Sequence, residues 1–319
     1  MRWLVTGAAG FIGSHFIELL DGDFLVIDKL GYASDPSRVP DDSLVVGDIA
    51  NPDLIEQVFS SFRPDVVVNF AAESHVDNSY RQVRTFIRSN IEGVVTLLEA
   101  CRDLTPDALF VQISTDEVYG DAPYMHTPAD PISPKNPYAA SKAAAEHLVA
   151  SYAKAFGLNT LVVRSSNNWG PRQHPEKFVP AALQAKATGR PMVVHGLHLR
   201  RDWLYVGDNV RAIRELIDLK LDGRARAPVW NVATGTQRTL AEILDMIGSV
   251  PFTVSPERPG VDVGYWVDAD ATWDLLGWRP PDIRSDPRWR EYVASSSVRP
   301  ESVRTLRQAV PARTDPETR

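Results

Sequence analysis

The chain has 319 residues, 44% hydrophobic and 24% charged, with a formal net charge of −7, the balance of a globular protein with an ample core. The negative charge argues against nucleic acid or an acidic membrane as partner, and one cysteine, Cys101, excludes an intramolecular disulfide framework. No apolar run approaches membrane-spanning length and no secretory leader precedes the first strand, so a cytoplasmic location is expected.

Residues 2–6 predict a short buried strand, and Gly7-Ala-Ala-Gly10-Phe11-Ile12-Gly13 a turn opening a helix to about Leu20. Strands are expected at 24–27, ending in Asp28, at 43–46, ending in Gly47-Asp48-Ile49, and at 65–70, 108–114 and 160–164. Helices are expected at 52–62, 83–103 and 137–156. This alternation implies an α/β fold with a doubly wound parallel (Rossmann) sheet. After about Asn168, prolines and longer loops separate strands at 191–195, 202–206 and 229–232 from helices at 178–188, 209–219 and 240–247, with a short helix near 289–293. The division expected is a Rossmann domain over 1–168, a smaller lobe over 169–300 interleaved with the sheet, and a mobile tail over 301–319.

Gly7, Gly10 and Gly13 stand between a strand and a helix, where a tight turn lets a pyrophosphate approach the backbone. Asp28 ends the second strand, where an acid binds both ribose hydroxyls and repels a 2′-phosphate, favouring NAD over NADP. Lys29 is a neighbouring cation that could soften that choice. Downstream, Ser114-Thr115-Asp116-Glu117 brings a hydroxyl and two acids to a strand end. Adjacent strand residues face opposite ways, so both acids serve one site only if the strand turns there; the plainer reading is an acidic helix start. Tyr138 and Lys142 are four apart on one helix face. An ammonium there lowers the phenol pKa, making Tyr138 a base for a hydroxyl proton as hydride leaves to NAD. His195 and His198 have no acidic or thiol neighbour in sequence, so no metal is expected.

These stretches, with Ala71-Ala-Glu-Ser-His-Val-Asp77, Pro137-Tyr-Ala-Ala-Ser-Lys142, Ser166-Asn-Asn-Trp-Gly-Pro171, Pro175-Glu-Lys177, Arg201-Asp-Trp-Leu-Tyr-Val206, Arg258-Pro-Gly260 and Leu276-Gly-Trp278, resemble the extended short-chain dehydrogenases/reductases over roughly residues 1–280. Within that group they are similar to the dTDP-glucose 4,6-dehydratases. The resemblance implies a homodimeric, NAD-dependent lyase acting on a nucleoside-diphosphate hexose, with Thr115, Asp116, Glu117, Tyr138 and Lys142 catalytic. It further implies Phe11, Ile12, Asp48, Ile49, Ala71, Ala72, Ser74 and Asn168 along the cofactor, and Ser74, Thr115, Asn167, Lys177, Arg201, Asn231 and Arg258 along the substrate. Departures gather at the nucleotide end, where Val261 replaces the family's usual histidine, and leave the nucleobase open. The alternatives are a 5,6-dehydratase, a C4 epimerase, or a non-catalytic NAD-binding protein.

Overall fold

The computed structural model describes residues 1–121, 123–256 and 260–296; Arg258 and the tail expected at 301–319 lie outside them. In chain order the first half contains β1 (Trp3–Thr6), α1 (Phe11–Ile17), β2 (Phe24–Asp28), β3 (Leu44–Val46), α2 (Pro52–Phe62), β4 (Val66–Asn69), α3 (Val76–Arg81), α4 (Val83–Ile87), α5 (Gly93–Leu104), β5 (Leu109–Thr115), α6 (Pro137–Phe156) and β6 (Thr160–Ser165). The second half contains β7 (Asn167–Trp169), α7 (Phe178–Thr188), β8 (Met192–His195), β9 (Arg200–Tyr205), α8 (Val206–Leu221), β10 (Val229–Val232), β11 (Gln237–Thr239), α9 (Leu240–Ile247), β12 (Phe252–Ser255), α10 (Asp270–Leu276) and α11 (Pro287–Ser296).

A seven-stranded sheet of order β10-β6-β5-β4-β1-β2-β3 runs parallel throughout. The order reverses between β1 and β4, which opens a crevice at their carboxyl ends. Register places Thr6, Asn69 and Gln112 in one row across β1, β4 and β5. Their side chains bond in series, Thr6 Oγ1 to Asn69 Oδ1 at 2.5 Å and Asn69 Nδ2 to Gln112 Oε1 at 2.9 Å, so the row is buried without orphaned polar atoms there. Apolar side chains from α1, α8 and α10 cover one face, and those of α2, α5 and α6 the other. The sheet therefore recruits α8 and β10 from the later half of the chain. Two small sheets, β11-β9-β7 and β12-β8, pack with α7, α9 and α11 around Trp169, Trp203 and Trp289.

The continuous helix expected at 83–103 is instead α4 and α5 joined by a π-helical turn, Arg88–Glu92. The wider turn carries Asn90 inward, where its Nδ2 donates to Ser141 Oγ at 2.9 Å and its Oδ1 accepts from Glu73 N at 2.8 Å. Gly93 follows because a Cβ there would lie 2.5 Å from Ile49. Short elements with too few residues for a periodic signal (α3, β7, β11, β12 and α10) were not foreseen, and the last helix is longer than expected, at Pro287–Ser296.

Helix α6 starts cleanly: Asn136 Oδ1 accepts from Ala139 N at 2.8 Å and Pro137 takes the first position. It is fixed against the sheet by a buried cluster. Glu146 accepts from Arg164 Nε at 3.0 and 3.1 Å and Nη2 at 2.6 Å, and from the Ser114 hydroxyl. Glu146→Ala strands a buried guanidinium and should lower stability by on the order of 3–5 kcal/mol. A urea melt checks this, since a midpoint within error of wild type contradicts it.

Candidate active site

A cavity of about 650 Å³ lies at the crevice, between the carboxyl ends of β1, β2, β4, β5 and β6 and the smaller lobe. Gly7, Gly10, Phe11, Ile12, Gly13, Asp28, Lys29, Asp48, Ile49, Ala71, Ala72, Ser74, Thr115, Glu117, Tyr138, Lys142, Asn167, Asn168, Lys177 and Arg201 all line it. Asp116 and Asn231 are not among its lining residues.

The glycines at its cofactor end are fixed by space. Gly7 has φ +72°, and a Cβ on it would lie 2.6 Å from Ala71 N; one on Gly13 would lie 2.8 Å from Ala8 Cα. At Gly10 a Cβ would meet only Gly7 O, at 3.1 Å, so the space it would take belongs to the cavity. This cradle, with the unpaired N–H groups of a helix's first turn, fits a pyrophosphate. Asp28 is held by Ala9 N at 3.0 Å, Leu30 N at 2.8 Å and Ser34 Oγ at 3.0 Å. These bonds fix its carboxyl at the end of β2, on the cavity wall. Lys29 does not neutralise it, because its Nζ is 2.5 Å from Glu73 Oε1. Asp48 accepts from Ala50 N at 2.9 Å and pairs with Arg88 at 2.9 Å, which together hold its carboxyl below the usual range against the opposing cost of burial.

At the reacting end, β5 does turn where both acids require it. Asp116–Val118 form one 3₁₀ turn, capped by Thr115 Oγ1 accepting from Glu117 N at 3.3 Å. The two carboxyls then part company. Asp116 is 1% exposed; its Oδ1 accepts from Thr115 Oγ1 at 3.3 Å and its Oδ2 is buried without a partner. Burial first and the charge of Glu117 second push its pKa well up, which favours the neutral acid. Glu117 reaches the cavity, with Oε2 3.2 Å from Asn136 Nδ2 and 3.3 Å from the Tyr265 hydroxyl. Burial raises its pKa too, opposed mainly by Arg201 and by the Asn136 hydrogen bond.

One expectation needs correction. The Tyr138 phenol is pushed not down, as expected from Lys142, but up, by burial first and the Glu117 charge second, opposed by a hydrogen bond with Thr115. The Lys142 ammonium instead donates to the Ile113 carbonyl, and burial brings its pKa down to about 8.

The sequence pattern of the NAD dependent epimerase/dehydratase family matches residues 3–233. The chain belongs to this family. A curated relative, the low-salt glycan biosynthesis protein Agl12 of Haloferax volcanii, is 40% identical over 88% of this chain and 94% of its own length. A solved dTDP-glucose 4,6-dehydratase, DesIV from Streptomyces venezuelae with NAD and TYD bound, superposes with TM-score 0.83 at 33% identity, over 92% of this chain and 96% of that one. The UDP-glucose 4-epimerase of Thermus thermophilus, solved with NAD, gives 0.84 at 30% identity over 97% and 100%. Curated bacterial dTDP-glucose 4,6-dehydratases are 34–36% identical. The family is NAD-dependent, and the glycine cradle and Asp28 of this chain fit that cofactor.

In this family member the smaller lobe presents two cations to the cavity. Lys177 Nζ donates to Ser74 O at 3.1 Å, and Arg201 stacks over the Tyr265 ring at 4.5 Å while bonding the Asp262 carbonyl. Asn231, expected at the substrate, is a structural clamp instead. It is fully buried, accepts from the Tyr119 hydroxyl at 2.8 Å and donates to the carbonyls of His126 at 3.1 Å and Asp268 at 2.9 Å. Its capacity is spent tying β10 to two loops. Sequence reading missed Asn136 and Tyr265 beside Glu117, because they lie 19 and 148 residues away. It also missed Glu176, whose Oε1 accepts from the Tyr32 hydroxyl at 2.8 Å across the cavity mouth. Trp203 is buried and also lines the cavity. Among the described residues no cluster suits a metal ion.

Asn231→Ala should therefore cost about 2–4 kcal/mol through buried groups left unpaired, with substrate KM unchanged within twofold. Thermal denaturation with steady-state kinetics on the same preparation tests this; a KM rise at unchanged stability would restore Asn231 to the substrate site.

Proposed function

We propose that this chain is a sugar-nucleotide 4,6-dehydratase, converting a nucleoside-diphosphate hexose, dTDP-glucose foremost, into its 4-keto-6-deoxy product. The observation that carries the reading is the single 3₁₀ turn that sets a buried acid, Asp116, beside a cavity-facing carboxyl, Glu117, next to Tyr138 and Thr115. An epimerase needs the oxidation site but has no use for two acids beside it.

Thr115 holds the C4 oxygen while Tyr138 takes the C4 hydroxyl proton. NAD, held by the glycine cradle, Asp28 and Lys142, would supply a nicotinamide able to take hydride from C4 and give it back at C6. The C4 ketone acidifies the C5 proton, which Glu117 removes. The C5–C6 double bond forms as the C6–oxygen bond breaks, and Asp116 protonates the departing hydroxyl, which leaves as water. Glu117 then returns a proton to C5, and Tyr138 loses and Asp116 regains a proton by exchange with solvent, which resets both groups. Hydride leaves and returns once, so the balance is loss of one water with no net oxidation. Lys142 holds the nicotinamide ribose; Lys177 and Arg201 meet the diphosphate with charge-assisted hydrogen bonds.

The same reading assigns cofactor and chemistry to residues 1–168 and nucleotide-sugar binding to 169–300, Arg258 included. It makes the protein a cytoplasmic homodimer pairing through helices around 83–103 and 137–156, where Val83 and Ile87 are about 40% exposed. No helix among the described residues is long and apolar enough to cross a membrane.

Incubation with dTDP-, UDP-, GDP- and CDP-glucose followed by mass spectrometry should show loss of one water and a new ketone without added reductant; an epimer of unchanged mass would sink the proposal. Glu117→Gln should still give transient NADH absorbance but slow water loss by roughly 10²-fold or more. Because the Glu117 pKa is raised and the base form is needed, elimination should fall as pH drops through a value above 4.5. An alkaline limb near 8, where the Lys142 ammonium is lost, should bound the profile on the other side. A rate flat from pH 4.5 to 9 contradicts both assignments.

A further inference from the structure

We infer that Tyr265 and Asp262 form a proton relay that connects Glu117 to solvent through Lys135, an inference that rests on Glu117 being the C5 base. Tyr265 lies in the loop after Arg258-Pro-Gly260, 148 residues from Glu117 in sequence. Its hydroxyl donates to Asp262 Oδ2 at 2.6 Å and stands 3.3 Å from Glu117 Oε2. A hydroxyl has one proton and cannot donate to both carboxylates at once. The arrangement therefore has two matching states. With Glu117 ionised, Tyr265 donates to Asp262. With Glu117 protonated, Glu117 donates to the Tyr265 oxygen while the Tyr265 proton stays on, or passes to, Asp262.

The second state is the one left when Glu117 has taken the C5 proton. Transfer from Glu117 to Tyr265, with the Tyr265 proton moving to Asp262, regenerates the Glu117 carboxylate and places the proton on Asp262. No bond to carbon changes and no electrons move. Asp262 is fully buried, so it cannot exchange with water directly. Its Oδ1 faces Lys135 Nζ at 3.4 Å, and Lys135, with a side chain 43% exposed, also pairs with Asp121 at 2.6 Å. The lysine is the outer terminus. Its ammonium gives a proton to bulk water, the amine so formed takes the proton from the Asp262 carboxyl, and the reverse sequence brings a solvent proton inward, so a proton returned to C5 need not be the one removed. The ring of Tyr265 is held between this cluster and the Arg201 guanidinium, 4.5 Å from its centroid, so Tyr265→Phe removes the relaying oxygen while keeping the packing.

The test is a turnover in D₂O with whichever of dTDP-, UDP-, GDP- or CDP-glucose loses water, quenched into borohydride to stop later exchange at C5. Wild type should give product deuterated at C5. Tyr265→Phe and Asp262→Asn should retain C5 protium in at least a tenfold larger fraction, while NADH still forms transiently. NADH that accumulates with C5 protium kept in the recovered sugar also supports the relay. Full C5 deuteration in both variants, or a Tyr265→Phe that forms no NADH, overturns it. If wild type removes water from none of the four sugars, the dehydratase reading itself has failed and the relay falls with it. Wild-type dehydration with fully deuterated variants rejects the relay alone.

Discussion

The site depends on a buried ion pair that never touches substrate. Glu146 sits one turn beyond Lys142 on α6 and binds Arg164 from β6 together with Ser114 from the end of β5. Two further bonds run the same way, from Lys142 to the Ile113 carbonyl and from Asn136 to Glu117. Together these fix the helix carrying Tyr138 and Lys142 in rotation and height against the strand end carrying Thr115, Asp116 and Glu117. Burying two charges is costly unless geometry is good and other polar atoms are satisfied. Here Glu146 collects four hydrogen bonds, and the Arg164 guanidinium also lies 4.6 Å over the Tyr119 ring. The pair acts on specificity of position more than on net stability.

With that frame rigid, burial divides the labour between two neighbouring acids. Asp116 is buried between Thr115 and Glu117, which line the cavity, with an oxygen that has no partner, an environment that favours the uncharged form. Glu117 faces the cavity and two hydrogen-bond partners, and Arg201 opposes the rise in its pKa. A carboxyl that keeps its proton and one that can lose it are the two halves of an elimination. The 3₁₀ turn makes this possible, because continued strand would have pointed them to opposite faces.

The cofactor end was largely legible from the chain itself. Strand, glycine turn, helix and Asp28 are close in sequence, and each obeys a local rule of space or charge. The acids and the Tyr138/Lys142 pair were legible for the same reason. The π-helical turn at Arg88–Glu92 was not, since a hydrophobic pattern tolerates one extra residue without announcing it. Asn231 was misassigned because a polar residue at the edge strand β10 reads alike whether it binds ligand or three buried partners. Only its neighbours, 112, 105 and 37 residues away, distinguish the two.

The sequence by itself determined the fold class, the dinucleotide cradle and the set of reactive groups, because short-range spacing and hydrophobic alternation encode them. Tertiary structure decided how those groups differ. It set Glu117 on the cavity and Asp116 off it with both carboxyl pKa values raised by burial, turned Lys142 toward a backbone carbonyl, and brought Tyr265 and Asp262 to Glu117. Protonation state and side-chain partnership depend on dielectric surroundings and on distances of a few ångströms, and these exist only once residues far apart in the chain are packed together.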